Sequence, residues 1–379
     1  MNILTVSTLY PNSNDPKHGI FVHTRLKHLL SCYPDISAKV IAPVPWFPFS
    51  NKVFGEYSKY ANVPKKEVID GIEVYHPRYI VVPKVGMYLT PFFLQLAIKK
   101  VAKRVQKEFA ADVIDGHYFF PDGIAIQQTA KALKLPFTCT ARGTDINLIP
   151  SYPKARRMLN SVFQNAAHMM SVCQALKDEM NQLGVPDERV SVMRNGVDLA
   201  LFTPSSNEEQ IALKKERKLE TKYLVMSVGW LIERKGHHLI IDALPMLPDV
   251  TLAIAGSGPA LAKLRKHAEE LDVANRVLFL GALSQAELNK WFQASDVSVL
   301  ASSREGWANV LLESMASGTP VVATRVWGTP EVVQTPSAGV LVERNSEDIA
   351  RGLREVLEKE RTRSETRRYA ETFSWDESC

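Results

Sequence analysis

Short β-branched runs alternate with segments of helical period along nearly the whole chain. This alternation restricts the fold more than any other feature, because it is the pattern of βαβ units whose crossover helices cover parallel sheets. In the first half, runs at 2–6, 38–42, 113–117, 137–141, 168–173 and 190–193 read as strands, with helices expected near 20–32, 94–109, 123–134, 154–166 and 174–183. Asp70-Gly71, set between 67–69 and 72–74, predicts a tight hairpin at the sheet edge. At Pro204-Ser205-Ser206-Asn207 the composition changes, and mostly charged residues follow, so the linker is placed there. A second series then begins, with strands at 223–228, 251–255, 277–280, 297–300 and 320–324. Its helices are expected near 237–247, 260–271, 285–294, 310–317 and 346–360. The expected fold class is α/β: two doubly wound, Rossmann-like domains, 1–203 and 204–362, with parallel sheets facing a central cleft. Residues 363–379 are expected to cross back to the first domain. A length of 379 residues fits two domains, and in such folds ligands bind at the carboxyl ends of the strands.

Composition removes several classes of function. No run of 18 apolar residues exists, so no spanning helix is expected. The start, Met1-Asn2-Ile3-Leu4-Thr5-Val6, lacks the basic region of a secretion signal and reads as a strand. Cys32, Cys139, Cys173 and Cys379 show neither a CxxC pair nor metal-ligand spacing with histidine, which points to reduced thiols in a cytoplasmic protein. The net charge of +5 hides an asymmetry: residues 1–195 carry 24 basic against 15 acidic side chains, and the remainder 22 against 26. The first half is therefore expected to face anions, either phosphate-bearing ligands or an acidic membrane surface. Nucleic acid is not expected, since the chain has no aromatic–basic RNA motif, zinc finger or basic-region heptad. The helix at 94–109 sets Ile98, Val101, Ala102 and Val105 on one side, with Lys99, Lys100, Lys103, Arg104 and Lys107 on the rest. That is either a core helix with a solvated basic face or a helix that adsorbs to anionic lipid.

The richest stretch runs from Ser302 to Pro320. It leaves an apolar strand and enters a short helix that Gly318 and Pro320 close. Glu305 falls in the strand-to-helix loop, followed by Gly306, Trp307 and Ala308. Asn309 and Glu313, four apart, share one helical face. Backbone N–H groups at 307–310 at such a helix start attract diphosphate. Glu313, a turn deeper, is placed to accept hydrogen bonds from ribose hydroxyls. The alternative for Glu305 and Glu313 is a pair of solvated acids that the helix dipole stabilises.

Glu305-Gly306 and Leu312-Glu313, followed by Gly318-Thr319-Pro320-Val321-Val322-Ala323-Thr324, closely resemble the Glu-x7-Glu region of the retaining glycosyltransferases of family 4, which have the GT-B fold. The resemblance extends over most of the chain. Ser227-Val228-Gly229-Trp230-Leu231-Ile232-Glu233-Arg234-Lys235-Gly236 is similar to the family's phosphate-binding loop, although Trp230 stands where the family has arginine. Ala255-Gly256-Ser257-Gly258-Pro259, Phe279-Leu280-Gly281, Gly328-Thr329-Pro330-Glu331 and Arg194-Asn195-Gly196-Val197-Asp198 also match. Asp115-Gly116-His117 with Pro121-Asp122-Gly123 resembles the family's acceptor-side histidine element.

The resemblance implies that Glu313 binds the nucleotide ribose, that Glu305 contacts hydroxyls of the transferred sugar, and that Lys235 with Arg234 pairs with the diphosphate. Gly306, Trp307, Ala308, Asn309 and Val310 line the donor site. Gly19 stands where the family has a glycine-rich loop and either lets the chain approach a phosphate or is an ordinary turn glycine. His117, at a strand end, is expected to hydrogen-bond the donor sugar or phosphate. Arg142 and Asp145 either shape the same cleft or form a pair that holds their loop.

The implied activity is transfer of a sugar, with retention, from a UDP- or GDP-linked donor to a hydroxyl of a saccharide or lipid-linked acceptor in polysaccharide or glycoconjugate biosynthesis. A nucleotide-sugar epimerase or hydrolase of the same fold, or a non-catalytic nucleotide-sugar-binding subunit, are the alternatives. No cofactor is expected, because the nucleotide sugar is a substrate, and no metal, because the chain has no Asp-x-Asp motif. The expected location is cytoplasmic and peripheral on the inner face of the cell membrane.

Overall fold

The structure, a computed structural model, describes residues 1–47, 58–82, 86–359 and 362–375. The chain divides into two compact units, Met1–Met193 and a second that starts at Arg194.

The first unit contains β1 (Asn2–Val6), β2 (Ser37–Ile41), β3 (Val44–Pro45), β4 (Lys66–Ile69), β5 (Ile72–Tyr75), β6 (Arg78–Tyr79), β7 (Val113–His117), β8 (Phe137–Ala141), β9 (His168–Ser171) and β10 (Val190–Val192). Eight of them form one sheet in the order β10-β9-β8-β7-β1-β2-β5-β4, and β3 pairs with β6. Every pairing in the large sheet is parallel except the β4–β5 hairpin. Its turn is Asp70-Gly71, with φ of 47° and 83°, the left-handed pair that a two-residue hairpin turn requires.

The second unit holds β11 (Tyr223–Val228), β12 (Val250–Ala255), β13 (Val277–Gly281), β14 (Val297–Leu300), β15 (Val321–Thr324) and β16 (Gly339–Val342). They form one all-parallel sheet in the order β13-β12-β11-β14-β15-β16. Leu224, Val225, Met226, Leu252, Ala253, Val321 and Val322 are fully buried. Helices on both faces explain why these strands read as unbroken apolar runs and not as an alternation.

Each sheet has one place where the strand order reverses: between β1 and β7 in the first unit, and between β11 and β14 in the second. Neighbouring crossovers leave on opposite faces there, which opens a crevice at the carboxyl ends of the strands. The loops that follow β1, β7, β11 and β14 carry most of the candidate residues.

The second unit begins ahead of the linker expected at 204. Arg194 pairs with Glu331 at 2.7 Å, the Val197 amide donates to the Phe373 carbonyl at 3.0 Å, and buried Phe202 packs on Phe292. The charged stretch after 204 is a helix, Asn207–Glu216, started by a reciprocal cap between Ser206 and Glu209. The helix Arg363–Ala370 belongs to this unit. Arg367 donates to the carbonyls of Ala316, Leu199 and Phe202, and Arg363 donates to those of Ser317 and Ser295. Residues 376–379, the end of the segment expected to cross back, lie outside the described residues.

The helix expected at 94–109 begins earlier, as Thr90–Phe109, with Pro91 in its first turn where a missing N–H costs nothing. Among the described residues no helix is long and apolar enough to cross a membrane.

Candidate functional site

At the β11/β14 reversal, residues 229–236 turn back over the end of the sheet. Leu231 is buried and anchors the loop, its amide donating to the Ser257 carbonyl at 2.8 Å. A short turn at Glu233–Lys235 ends in Gly236, whose φ is 71°. A Cβ there would lie 2.1 Å from the Ala301 carbonyl oxygen, so the loop is pressed against the end of β14. The Lys235 stem runs across Gly229, where a Cβ would sit 3.4 Å from its Cδ.

That packing delivers the Lys235 ammonium to Glu305. Nζ and Oε1 are 2.6 Å apart, with only 15% and 10% of the two side chains exposed. Arg234 lies beside them, its Nη1 donating to the Arg304 carbonyl at 2.6 Å and 4.0 Å from Glu305 Oε2. The structure therefore gathers Arg234, Lys235 and Glu305 into one charged cluster. A nearly buried pair in this geometry offers an incoming group a fixed cation and a fixed acceptor.

The helix Asn309–Ala316 starts next to the cluster. Its N-cap, Ala308, has no side chain that can cap it. Among the described residues the amides of Ala308 and Val310 donate to no acceptor, whereas those of Asn309 and Leu311 reach the carbonyls of Trp307 and Ala308. Such a start presents unpaired N–H groups and the positive end of the helix dipole, a combination suited to an anion. Two neighbouring side chains are committed elsewhere. Buried Trp307 donates through Nε1 to the Asn195 carbonyl at 3.0 Å, and Asn309 Oδ1 accepts from Asn195 Nδ2 at 3.1 Å. The Trp307 indole N–H and the Asn309 side-chain oxygen are therefore engaged within the second unit. Glu313 has no side-chain partner among the described residues, and burial pushes its pKa up to about 7. Trp230 is 45% exposed on the loop 229–236.

In the first unit, His117 ends β7 and Asp115 lies two residues earlier, on the same face of the strand. Arg142 Nη2 is 2.8 Å from His117 Nδ1, and Asp115 Oδ2 is 3.0 Å from Nε2. An arginine can only donate, so Nδ1 accepts and Nε2 carries the proton given to Asp115. Burial lowers the His117 pKa to about 4 against the pull of Asp115. Burial works to raise Asp115, but His117 and Arg25 hold it well below the usual carboxylate range. With 2% of its surface exposed and both ring nitrogens taken, His117 can reach a sugar hydroxyl only after one neighbour lets go.

Arg142 and Asp145 do share a loop, but not through a paired guanidinium. The Asp145 carboxylate accepts from the amides of Phe119 at 2.8 Å, Gly143 at 2.8 Å and Arg142 at 3.1 Å, tying the ends of β7 and β8 together. Burial lowers the Arg142 pKa to about 9 and raises that of Asp145. Gly19 precedes the helix Ile20–Cys32 with φ of 62°, and a Cβ on it would fall 2.2 Å from the Leu9 carbonyl carbon. The fold itself requires glycine here, which favours the turn reading.

Sequence reasoning overlooked Asp115 as the partner of His117, though the two-residue strand period was its signal. It also overlooked Asn195 as the anchor of Trp307 and Asn309. Asp122 too gained no role. Burial pushes its pKa up to about 7, while its oxygens take the Thr8 amide at 2.6 Å and hydroxyl at 3.0 Å, fastening the loop after β1.

Two parallel-sheet units whose polar clusters sit at their strand-order reversals define a GT-B protein, and solved structures share the fold. Anabaena HepE in complex with UDP superposes with a TM-score of 0.74 at 22% identity over 100% of this chain and 97% of that one. Sucrose-phosphate synthase from Thermosynechococcus elongatus gives 0.80 at 18% identity, over 99% and 96%. Residues 208–373 match the model for glycosyl transferases group 1, and residues 53–201 that for glycosyltransferase family 4. The chain belongs to the group 1, family 4 glycosyltransferases and is a transferase. Among curated relatives, a Bacillus subtilis protein named for teichuronic acid biosynthesis as the glycosyltransferase TuaC is 28% identical, over 86% of this chain and 82% of its own length. The lipopolysaccharide core biosynthesis glycosyltransferase LpsE of Rhizobium meliloti is 34% identical over 45% of this chain and 51% of its own.

Proposed function

We propose that the chain moves a sugar from a UDP- or GDP-linked donor to a hydroxyl of a saccharide or lipid-linked acceptor in envelope polysaccharide biosynthesis, with retention at the anomeric carbon. The observation that carries this reading is the meeting of the Lys235–Glu305 pair with the uncapped start of the helix Asn309–Ala316. The diphosphate of an activated sugar suits that place: a dianion can take the unpaired amides at 308 and 310 while sharing Lys235 and Arg234. Glu305 then accepts hydrogen bonds from hydroxyls of the transferred sugar, and Glu313 from the ribose. The bond from the anomeric carbon to the diphosphate oxygen breaks as the acceptor oxygen approaches the same face. The departing diphosphate stabilises the cationic ring and takes the acceptor's proton. In this reading fixed cations and amides meet the leaving charge without a divalent ion. The names of TuaC and LpsE support an envelope acceptor, and HepE bound to UDP-glucose makes a UDP-sugar the first donor to try. Work on a lipid-borne acceptor would place the enzyme on the inner face of the membrane.

Calorimetry with UDP and GDP, followed by transfer assays with the matching nucleotide sugars and NMR of the product anomer, tests the proposal. One nucleoside diphosphate is expected to bind and its sugar to be transferred with retention. Binding of neither, or an inverted product, overturns it.

A further inference from the structure

The helix Thr90–Phe109 buries Pro91, Leu94, Ile98, Ala102 and Val105, a stripe at helical spacing that faces the rest of its unit. Its opposite face is divided lengthwise. Toward the N-terminus, Leu89, Phe92 and Leu96 are 47%, 57% and 50% exposed. Toward the C-terminus, exposed Lys100, Lys103 and Lys107 continue the same row at spacings of three and four. These side chains stand on the side away from the buried stripe, and no acidic residue interrupts the row before Glu108. The sequence offered only the charges. The apolar end became visible because the helix starts at Thr90, which puts Phe92 and Leu96 in register with the lysines.

We infer that this outward face is a bilayer-docking surface, with Leu89, Phe92 and Leu96 inserted among the acyl chains and Lys100, Lys103 and Lys107 at anionic headgroups. The inference deepens the peripheral location proposed above by naming the element responsible. Charge complementarity selects the partner: a row of lysines inside a half-chain with 24 basic and 15 acidic side chains up to residue 195 fits a polyanionic plane. Three half-exposed apolar side chains are too few for the centre of a stable protein interface, which takes about 800 Å² from each partner. They suit shallow insertion beside headgroups, where apolar contact and charge act together.

The test is co-sedimentation of the full chain, without donor, with vesicles of phosphatidylcholine alone or mixed equally with phosphatidylglycerol. Binding is expected only to the mixed vesicles. Lys100→Gln/Lys103→Gln/Lys107→Gln should weaken it roughly a hundredfold, on the order of fivefold per lysine. Phe92→Ser/Leu96→Ser, on an exposed face, should remove the part that survives high salt. Phe92→Trp should shift its emission to shorter wavelength on vesicles and be quenched by brominated lipid. Absence of binding to mixed vesicles, equal binding to both kinds, or a Phe92→Trp emission unmoved by lipid overturns the inference. UDP or GDP affinity, measured on the same variants in solution, should not change. Failure of vesicle binding is thereby separated from failure of the transfer reading.

Discussion

Glu313 is the side chain whose replacement says most about the second unit. Its carboxyl is withdrawn from water and has no side-chain partner among the described residues, and its pKa is raised from 4.5 to about 7. The folded state therefore holds a proton there more tightly than the unfolded chain does. The stability this contributes is complete below pH 4.5 and is lost as pH rises through 7. A shift of that size corresponds to about 3 kcal/mol at 1.36 kcal/mol per unit, and the accessible edge of the side chain trims it toward about 2. Glu313→Gln keeps the shape and removes the titration. The variant should match the wild type at pH 5 and become the more stable protein by about 2 kcal/mol at pH 8. Urea unfolding followed by a probe in the second unit at the two pH values measures the difference. Parallel stability curves from pH 5 to 8 would refute the reasoning. The same proton bears on the proposed ribose contact. A diol that donates to this carboxylate favours its ionised form, so nucleotide affinity should rise with pH up to about 7 and then level off. Calorimetry near pH 6.5 should register proton release.

Lys235→Ala leaves a nearly buried Glu305 without its counter-ion, so it should cost between about 1 and 4 kcal/mol of stability and lower turnover by about 10² to 10³; chemical denaturation and a transfer assay check the two effects separately. His117 is expected to stay neutral from pH 5 to 8, because its pKa is lowered to about 4; NMR shifts of its imidazole that titrate in that range would contradict the burial of His117 between Asp115 and Arg142. The unfolded chain protonates this histidine near 6.5, so the same group withdraws stability as pH falls from about 6.5 toward 4. Gly236→Ala forces a Cβ to within 2.1 Å of the Ala301 carbonyl oxygen at a φ of 71°; the melting temperature should drop by the equivalent of more than about 2 kcal/mol.

The parallel sheets were legible because a strand buried on both faces must be apolar and β-branched throughout, as in Val321-Val322-Ala323-Thr324 and Tyr223-Leu224-Val225-Met226. The hairpin at Asp70-Gly71 was legible because few residue pairs tolerate two left-handed conformations in succession. The helix Asn207–Glu216 was hidden behind its charge, although Ser206 and Glu209 at cap spacing announce it. β16 was overlooked because it opens on Gly339, a residue depleted in strands. In the candidate site, residue types were readable and partners were not. Glu305 and Lys235 stand far apart in sequence, and only the pressing of Gly236 onto Ala301 brings the two charges together. The bonds from Asn195 to Trp307 and Asn309 were not readable because Asn195 belongs to the second unit, a fact of packing that local sequence does not carry.

Arg363 and Arg367 stand one turn apart and both donate to carbonyls at the finish of the helix Asn309–Ala316, among them those of Ala316 and Ser317. Two guanidinium groups thus occupy the negative pole of the same short rod whose positive pole holds the unpaired amides, about 12 Å away at 1.5 Å per residue. The helix Arg363–Ala370 consequently sets both how firmly that rod is seated and how strongly it is polarised, so residues distant in sequence tune the end with the unpaired amides without touching it.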